Sequence, residues 1–227
     1  TNNRGRVASA WFDDFLPVYR GSKVSSNEVR NFDSVKKRLG CRPFVYFLYR
    51  FRKIYIESGV IAKTVFNLRE KASGLCLGRG GAGVRGASCA QTDRNQRLQL
   101  GNVNRETGKC CSGIRHYGGN DCIDQFQESN GLHWYSCDVS GQNGNQQYHL
   151  RDDGRLEKME PGTTRSAGCI YIDANKKKVA KRPCDELDNG VGIFEKAWEE
   201  EPQEFKIYKA ELKRHRIEEE FPHLPDN

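Results

Sequence analysis

One pattern occurs three times in this chain: a Cys followed by an apolar residue, a second Cys 13 to 15 residues on, and then Gln, any residue, and an apolar or aromatic side chain. The first copy reads Cys76-Leu77-Gly78, Cys89 and Gln96-Arg97-Leu98, and the second Cys122-Ile123-Asp124, Cys137 and Gln146-Gln147-Tyr148. The third reads Cys169-Ile170-Tyr171, Cys184 and Gln203-Glu204-Phe205. The leading cysteines stand 46 and 47 residues apart. A fixed period of this size marks one supersecondary unit built repeatedly. Pairing within each copy, Cys76 with Cys89, Cys122 with Cys137 and Cys169 with Cys184, closes three similar loops. Each such staple stabilises the chain by roughly 3 kcal/mol if it acts through chain entropy.

The chain needs those staples. Its 227 residues are 36% hydrophobic and include 23 Gly and 9 Cys, against the roughly 45–50% apolar content of an ordinary domain. That cysteine usage points to an oxidising compartment. Cys41, Cys110 and Cys111 are left over; Cys41 suits a partner outside this chain. A metal site from His116, Cys122 and the Cys110-Cys111 pair lacks any zinc-ligand spacing. The net charge is +7, but 30 acidic residues nearly balance 37 basic ones and no basic face alternates with aromatics, so no nucleic-acid partner is expected. No run approaches the roughly 18 apolar residues of a membrane span, so no span is expected in this chain. Thr1 stands first without a charged-then-apolar leader, and the chain reads as a piece of a longer protein with any anchor or targeting segment upstream.

Three regions follow one another. Residues 1–60 read as helical: Asn2 or Asn3 as a cap with Val7, Trp11 and Phe15 on one face, Asp33-Ser34 as a second cap with Val35 and Leu39 inward and Gly40 as terminator, and Pro43 opening a third helix with Phe44, Phe47, Leu48 and Phe51. Residues 61–209 are short apolar runs punctuated by Gly, Asn and Asp, the signature of many short strands. Repeats of about four strands each (residues 61–108, 109–156 and 157–209) predict a mainly β fold closed around a pseudo-threefold axis. Residues 210–227 form a charged tail, Lys213, Arg214 and Arg216 before Glu218, Glu219 and Glu220, read as solvated.

The three copies resemble the Cys-apolar-Asp / Gln-x-aromatic repeats of the ricin B-type lectin domain, a β-trefoil. Upstream, Arg6-Val7-Ala8-Ser9-Ala10-Trp11-Phe12-Asp13-Asp14-Phe15 resembles the R-V-A-E-V-W-M-D-E-(Y/F) helix that ends the catalytic domain of polypeptide N-acetylgalactosaminyltransferases. Lys36-Lys37-Arg38-Leu39-Gly40-Cys41-Arg42-Pro43-Phe44 resembles that family's K-L-x-C-K-x-F stretch before its lectin domain. The stretch that follows departs: Val45 to Lys53 replaces the family's W-Y-L-E-N-V-Y-P-E. The resemblance implies a short helical segment from the end of a GT-A-type catalytic domain, then a trefoil. It further implies a parent enzyme of the Golgi lumen, of type II membrane topology, that transfers GalNAc from UDP-GalNAc to Ser or Thr with Mn²⁺ and binds GalNAc-bearing glycopeptides or glycoproteins. The family's Asp-x-His metal motif and donor site lie upstream of anything present, and no Asp-x-His occurs here. No catalytic or metal residue is therefore assigned, and the chain alone is expected to be inactive.

A galactose-type sugar needs a carboxylate for adjacent hydroxyls, an aromatic face for its C–H patch, and an amide. The resemblance places these at the Asp of Cys-x-Asp, two residues before the second Cys, and at the Asn before Gln. The second repeat supplies Asp124, Tyr135 and Asn145, with Gln146 either buttressing the Asp or bonding the sugar; Trp134 or His133 replaces Tyr135 if the register slips. In the first repeat Gly78 and Ala87 stand in place of the Asp and the aromatic, and only Asn95-Gln96 survives. In the third, Tyr171, Arg182 and Pro202 stand at the three positions. Two alternatives remain open: a non-catalytic trefoil binding sulfated polysaccharide through Lys176-Lys177-Lys178 with Lys181 and Arg182, or a purely structural trefoil.

Overall fold

The computed structural model describes all residues except 1–2, 20, 22–30, 58, 102, 105–108, 111–112, 126–130, 139–142, 162, 164 and 223–227. The chain divides into two compact units, residues 57–201 and residues 1–56 with 202–227. The boundary thus differs from the expected 61–209: the last segment belongs with the first.

The 57–201 unit is a β-trefoil. Its first repeat holds β1 (Val65–Glu70), β2 (Leu75–Gly80), β3 (Gly83–Ser88) and β4 (Leu98–Leu100). A two-stranded ribbon, β5 (Val103–Asn104) and β6 (Lys109–Cys110), follows as an insertion. The second repeat holds β7 (Ile114–His116), β8 (Asp121–Asp124), β9 (His133–Ser136) and β10 (Tyr148–Leu150). The third holds β11 (Leu156–Met159), β12 (Ser166–Asp173), β13 (Lys178–Arg182) and β14 (Phe194–Glu200). In each repeat the middle strands form a hairpin, while outer strands pair between repeats: β4 with β7, β10 with β11, and β14 back to β1.

The period of the sequence reappears as a period of the core. Leu77, Ile123 and Ile170, each directly after the first Cys of its repeat, are fully buried in one cluster. Leu98, Tyr148 and Phe194 open the three fourth strands in the same cluster, with Phe66, Ile114 and Leu156 from the first strands. Disulfides join Cys76 to Cys89, Cys122 to Cys137 and Cys169 to Cys184. Cys122 is thereby unavailable to a metal. Cys41 is free and exposed; Cys111 and the Cys110 side chain lie outside the described residues.

The third Gln-x-aromatic triplet is corrected. Gln203-Glu204-Phe205 begins a helix outside the trefoil unit, and the equivalent position is Gly192-Ile193-Phe194, since Phe194 pairs with Glu70 and enters the core. Gly192 has φ +70, and a Cβ there would meet Leu187 Cδ1 at 2.6 Å and the Ile170 carbonyl at 2.9 Å. No Gln fits such a position without strain. The fully buried Glu70 of β1 takes over the tie: Oε1 accepts the N–H groups of Ile172 (2.9 Å) and Gly192 (2.8 Å), and Oε2 the Ser73 hydroxyl (2.6 Å).

The other unit contains α1 (Asn3–Trp11), a 3₁₀ turn (Asp13–Val18), α2 (Phe32–Leu39), α3 (Phe44–Arg50), α4 (Gln203–Arg214) and α5 (Ile217–Glu220). The expected tail is therefore largely helical, because α4 buries Tyr208 and Leu212 and pairs Arg214 with Asp14 at 2.8 Å. Phe15 does not continue α1 but is buried from the 3₁₀ turn, leaving Val7 and Trp11 exposed. Gly40 ends α2 at φ 60 as expected, whereas Leu39 is exposed. Asp13 ties these pieces: its carboxylate accepts from the Lys36 ammonium at 2.6 Å and the Phe44 N–H at 2.9 Å. Among the described residues no helix is long and apolar enough to cross a membrane.

Glu70→Ala strands two buried N–H groups, and should lower trefoil stability by about 3 kcal/mol in urea unfolding, whereas Glu70→Gln, which keeps an acceptor oxygen, should lose less.

Candidate functional site

Strand register decides which side chains meet. Within each hairpin the first Cys pairs with the residue two before the second Cys: Cys76 with Ala87, Cys122 with Tyr135, Cys169 with Arg182. In β8–β9, Ile123 and Trp134 pair facing the core, while Asp124 pairs with His133 on the other face. The register puts the two neighbouring aromatics on opposite faces. Trp134 is buried in the core, and Tyr135 stands 66% exposed as an open ring surface. Tyr148 is core as well: burial first, and the charge of Asp124 second, push its hydroxyl well above its ordinary range, so it remains a neutral phenol.

Asp124 is 4% exposed, and among the described residues it forms no ion pair. Its Oδ2 accepts from the Gln146 and Asn143 side-chain amides, each at 3.0 Å. No hydrogen bond among the described residues goes to Oδ1. Gln146 is 2% exposed, and also donates to the Ser136 carbonyl (2.9 Å) and accepts the Asp138 N–H (2.9 Å). It buttresses Asp124 from inside the fold and does not line the cavity in front of it. That cavity, of about 620 Å³, is lined by Ala82, Asp124, His133, Trp134, Tyr135, Asn143 and Asn145. Three of the four predicted residues thus meet in one cavity and the fourth stands behind it.

Asn143 was not foreseen. It begins the 3₁₀ turn Gly144–Gln146, its side-chain oxygen accepting the Asn145 N–H at 3.0 Å while its amide reaches Asp124. The signal was present: Asp93 caps the matching turn of the first repeat in the same way, so (Asp/Asn)-x-Asn-Gln is the full motif in both copies. Lys158, 4% exposed, fixes the turn from behind by donating to the Gly144 carbonyl at 2.8 Å. The Asn145 side-chain amide makes no hydrogen bond among the described residues and lines the cavity.

The other two repeats differ at this position. In the first, a Cβ on Gly78 would lie 3.0 Å from Gln96 Cγ and 3.3 Å from the Asn95 carbonyl, so a larger side chain enters only if these groups shift by a few tenths of an ångström. In the third, the Arg182 guanidinium lies over the Tyr171 ring at 5.1 Å, so the two substituted positions cover each other. With the triplet at Gly192, the residue opposite Asn145 is Val191, not Pro202.

Among the described residues no group of three or more His, Cys, Asp or Glu side chains is placed to hold a metal. No catalytic step is assigned to these residues.

No family model matches the sequence, and no curated protein matches it either. Solved structures share its outline distantly. The crystal structure of GalNAc-T7 with UDP, GalNAc and Mn²⁺ aligns over 86% of this chain at 16% identity and a TM-score of 0.48, and this chain spans 34% of that one. A non-toxic homologue of type II RIPs from Momordica charantia, in complex with α-methyl-D-galactoside, aligns over 59% at 18% identity and 0.45, with 48% of its chain covered. The Vibrio vulnificus hemolysin/cytolysin β-trefoil lectin with N-acetyl-D-lactosamine bound aligns over 61% at 16% identity and 0.42, with 97% covered. At these values the fold assignment rests on the chain's own threefold repeat.

Gln146→Leu leaves the Ser136 carbonyl and Asp138 N–H without a partner and should cost about 2–4 kcal/mol in chemical denaturation. Tyr135→Ala, at an exposed position, should stay within about 0.5 kcal/mol of the parent.

Proposed function

We propose that residues 57–201 form a carbohydrate-binding module with one working site, in the second repeat, for a galactose-type sugar, GalNAc or Gal. The observation that carries this reading is the convergence of the Asp124 carboxylate, the Asn145 amide and the exposed Tyr135 ring on one cavity. Adjacent sugar hydroxyls donate to Asp124, whose oxygens are aimed by Gln146 and Asn143 from the protein side. Tyr135 covers the apolar C–H face of the ring, and Asn145 both donates and accepts. Gln146 acts through Asp124 as a positioning residue.

We further infer that the chain is the C-terminal part of a polypeptide N-acetylgalactosaminyltransferase, which initiates mucin-type O-glycosylation by transferring GalNAc from UDP-GalNAc to Ser or Thr in the Golgi lumen with Mn²⁺. What supports this is the pair of resemblances at residues 6–15 and 36–44, in the family's order before a trefoil. In that setting the module is a tether. A shallow site with few contacts binds weakly, and weak attachment to a glycoprotein already carrying GalNAc raises the local concentration of acceptor residues.

Titration of the chain with GalNAc, Gal and GlcNAc, followed by NMR, should give shifts confined to the second repeat and dissociation constants in about the millimolar range, with GlcNAc the weakest. Asp124→Ala should abolish the shifts in a chain that still unfolds cooperatively, at a melting temperature lowered by the loss of the acceptor for the Gln146 and Asn143 amides; binding that survives this substitution would sink the site assignment.

A further inference from the structure

A second cavity adjoins the first. It measures about 600 Å³ and draws its lining from β3, β9, β12 and β13, including Arg85, His133, Tyr171, Asp173, Lys178 and Lys181. His133 lines both cavities. Two further backbone steps cross the same divide: Ala82 lines one and Gly83 the other, as do Asp124 and Gln125. The floor between them is fixed, since β3 pairs with β9 at Gly83 and His133, and the Trp134 N–H donates to the Ala82 carbonyl at 2.9 Å.

The charge of this second cavity is unlike that of the first. Among the described residues four cations line it, Arg85, Lys176, Lys178 and Lys181, against one carboxylate, Asp173. Asp173 is already engaged, accepting the Asn175 and Lys176 N–H groups, each at 3.1 Å, and pairing with the Lys176 ammonium at 3.6 Å. Lys178 and Arg85 stand directly opposite each other on β13 and β3, a juxtaposition of like charges that costs stability. Neither forms an ion pair among the described residues. The basic turn is also held in place, the Lys177 carbonyl accepting the Gly86 N–H at 3.1 Å. Two cations on paired strands, with no counter-charge among the described residues, beside a cavity suited to a neutral sugar, form a recognition element for an anion on the neighbouring part of the same ligand.

We propose that the two cavities act as one extended site for an acidic glycan: the galactose-type residue sits at Asp124, Tyr135 and Asn145, and a carboxylate or sulfate on it or on the adjacent sugar is held by Arg85 and Lys178. This rests on the sugar-binding reading of the Asp124 cavity and adds the ligand class to it.

The test compares, by isothermal titration at low and at near-physiological salt, the methyl galactoside, its sulfated form, and a sialylated galactoside. The acidic ligands should bind at least about tenfold tighter than the neutral one at low salt, the gain shrinking as salt rises. The larger of the two gains identifies sulfate or carboxylate as the anion. The double variant Arg85→Ser/Lys178→Ser, with an unchanged thermal melt, should reduce the acidic ligands to the affinity of the neutral one. Equal binding of neutral and acidic ligands overturns the extended site while the galactose reading stands. A sulfated oligosaccharide without galactose that binds equally well to Asp124→Ala also overturns it, showing an independent anion site. Failure of every galactoside, neutral or acidic, sinks both readings together.

Discussion

The buried side-chain amide of Gln146 is the interaction on which the second repeat depends. It spans from the fourth strand's entry turn to the end of the hairpin, bonding Ser136 and Asp138 there and Asp124 beside them. Gln96 does the same in the first repeat, donating to the Ser88 carbonyl and accepting the Ala90 N–H. A buried amide with every bond made is rigid, because any displacement exposes several unsatisfied groups at once. The same amide that closes the repeat therefore orients the carboxylate at its surface. Fold and site share one hydrogen-bond network in the second repeat; in the first the network persists with Gly78 where Asp124 stands, and the Gln96 amide donates instead to the capping Asp93 carboxylate at 3.2 Å.

Much of this was legible in the residues. The Cys spacing and the apolar residue after each first Cys announce a threefold core, and Leu77, Ile123 and Ile170 occupy it. Asp124 and Tyr135 could be matched because their offsets from the cysteines are fixed by hairpin register, and Asn145 because it directly precedes the Gln of its turn. The third triplet could not be matched by residue type, since Gly192 replaces the Gln and the compensating carboxylate, Glu70, sits more than a hundred positions away in β1. Spacing was the better guide: Gly192 follows Cys184 by 8 residues, close to the 7 and 9 of the other copies, whereas Gln203 follows it by 19. Long-range substitution of this kind leaves no periodic trace.

The helical segments were read less well, for a related reason. Their pattern is short and aromatic, and the inward face depends on which pieces come together. Leu212 and Tyr208 of α4 are buried within that unit, as is Phe15, and no local rule connects residue 15 to residue 212. Charge runs mislead in the same way. Arg214 reads as part of a solvated tail, yet pairs with Asp14 and with Glu211, the latter at 2.8 Å.

The position two residues before each second Cys always lies opposite a half-cystine, whether it is Ala87, Tyr135 or Arg182. The covalent staple fixes the backbone there independently of the side chain, so this position contributes little to foldability. Mutational drift can therefore gain, lose or exchange recognition chemistry in any one repeat while the other two keep the barrel closed. A chain organised in this way carries its own spare copies, each a place where a new specificity can arise without first risking the fold.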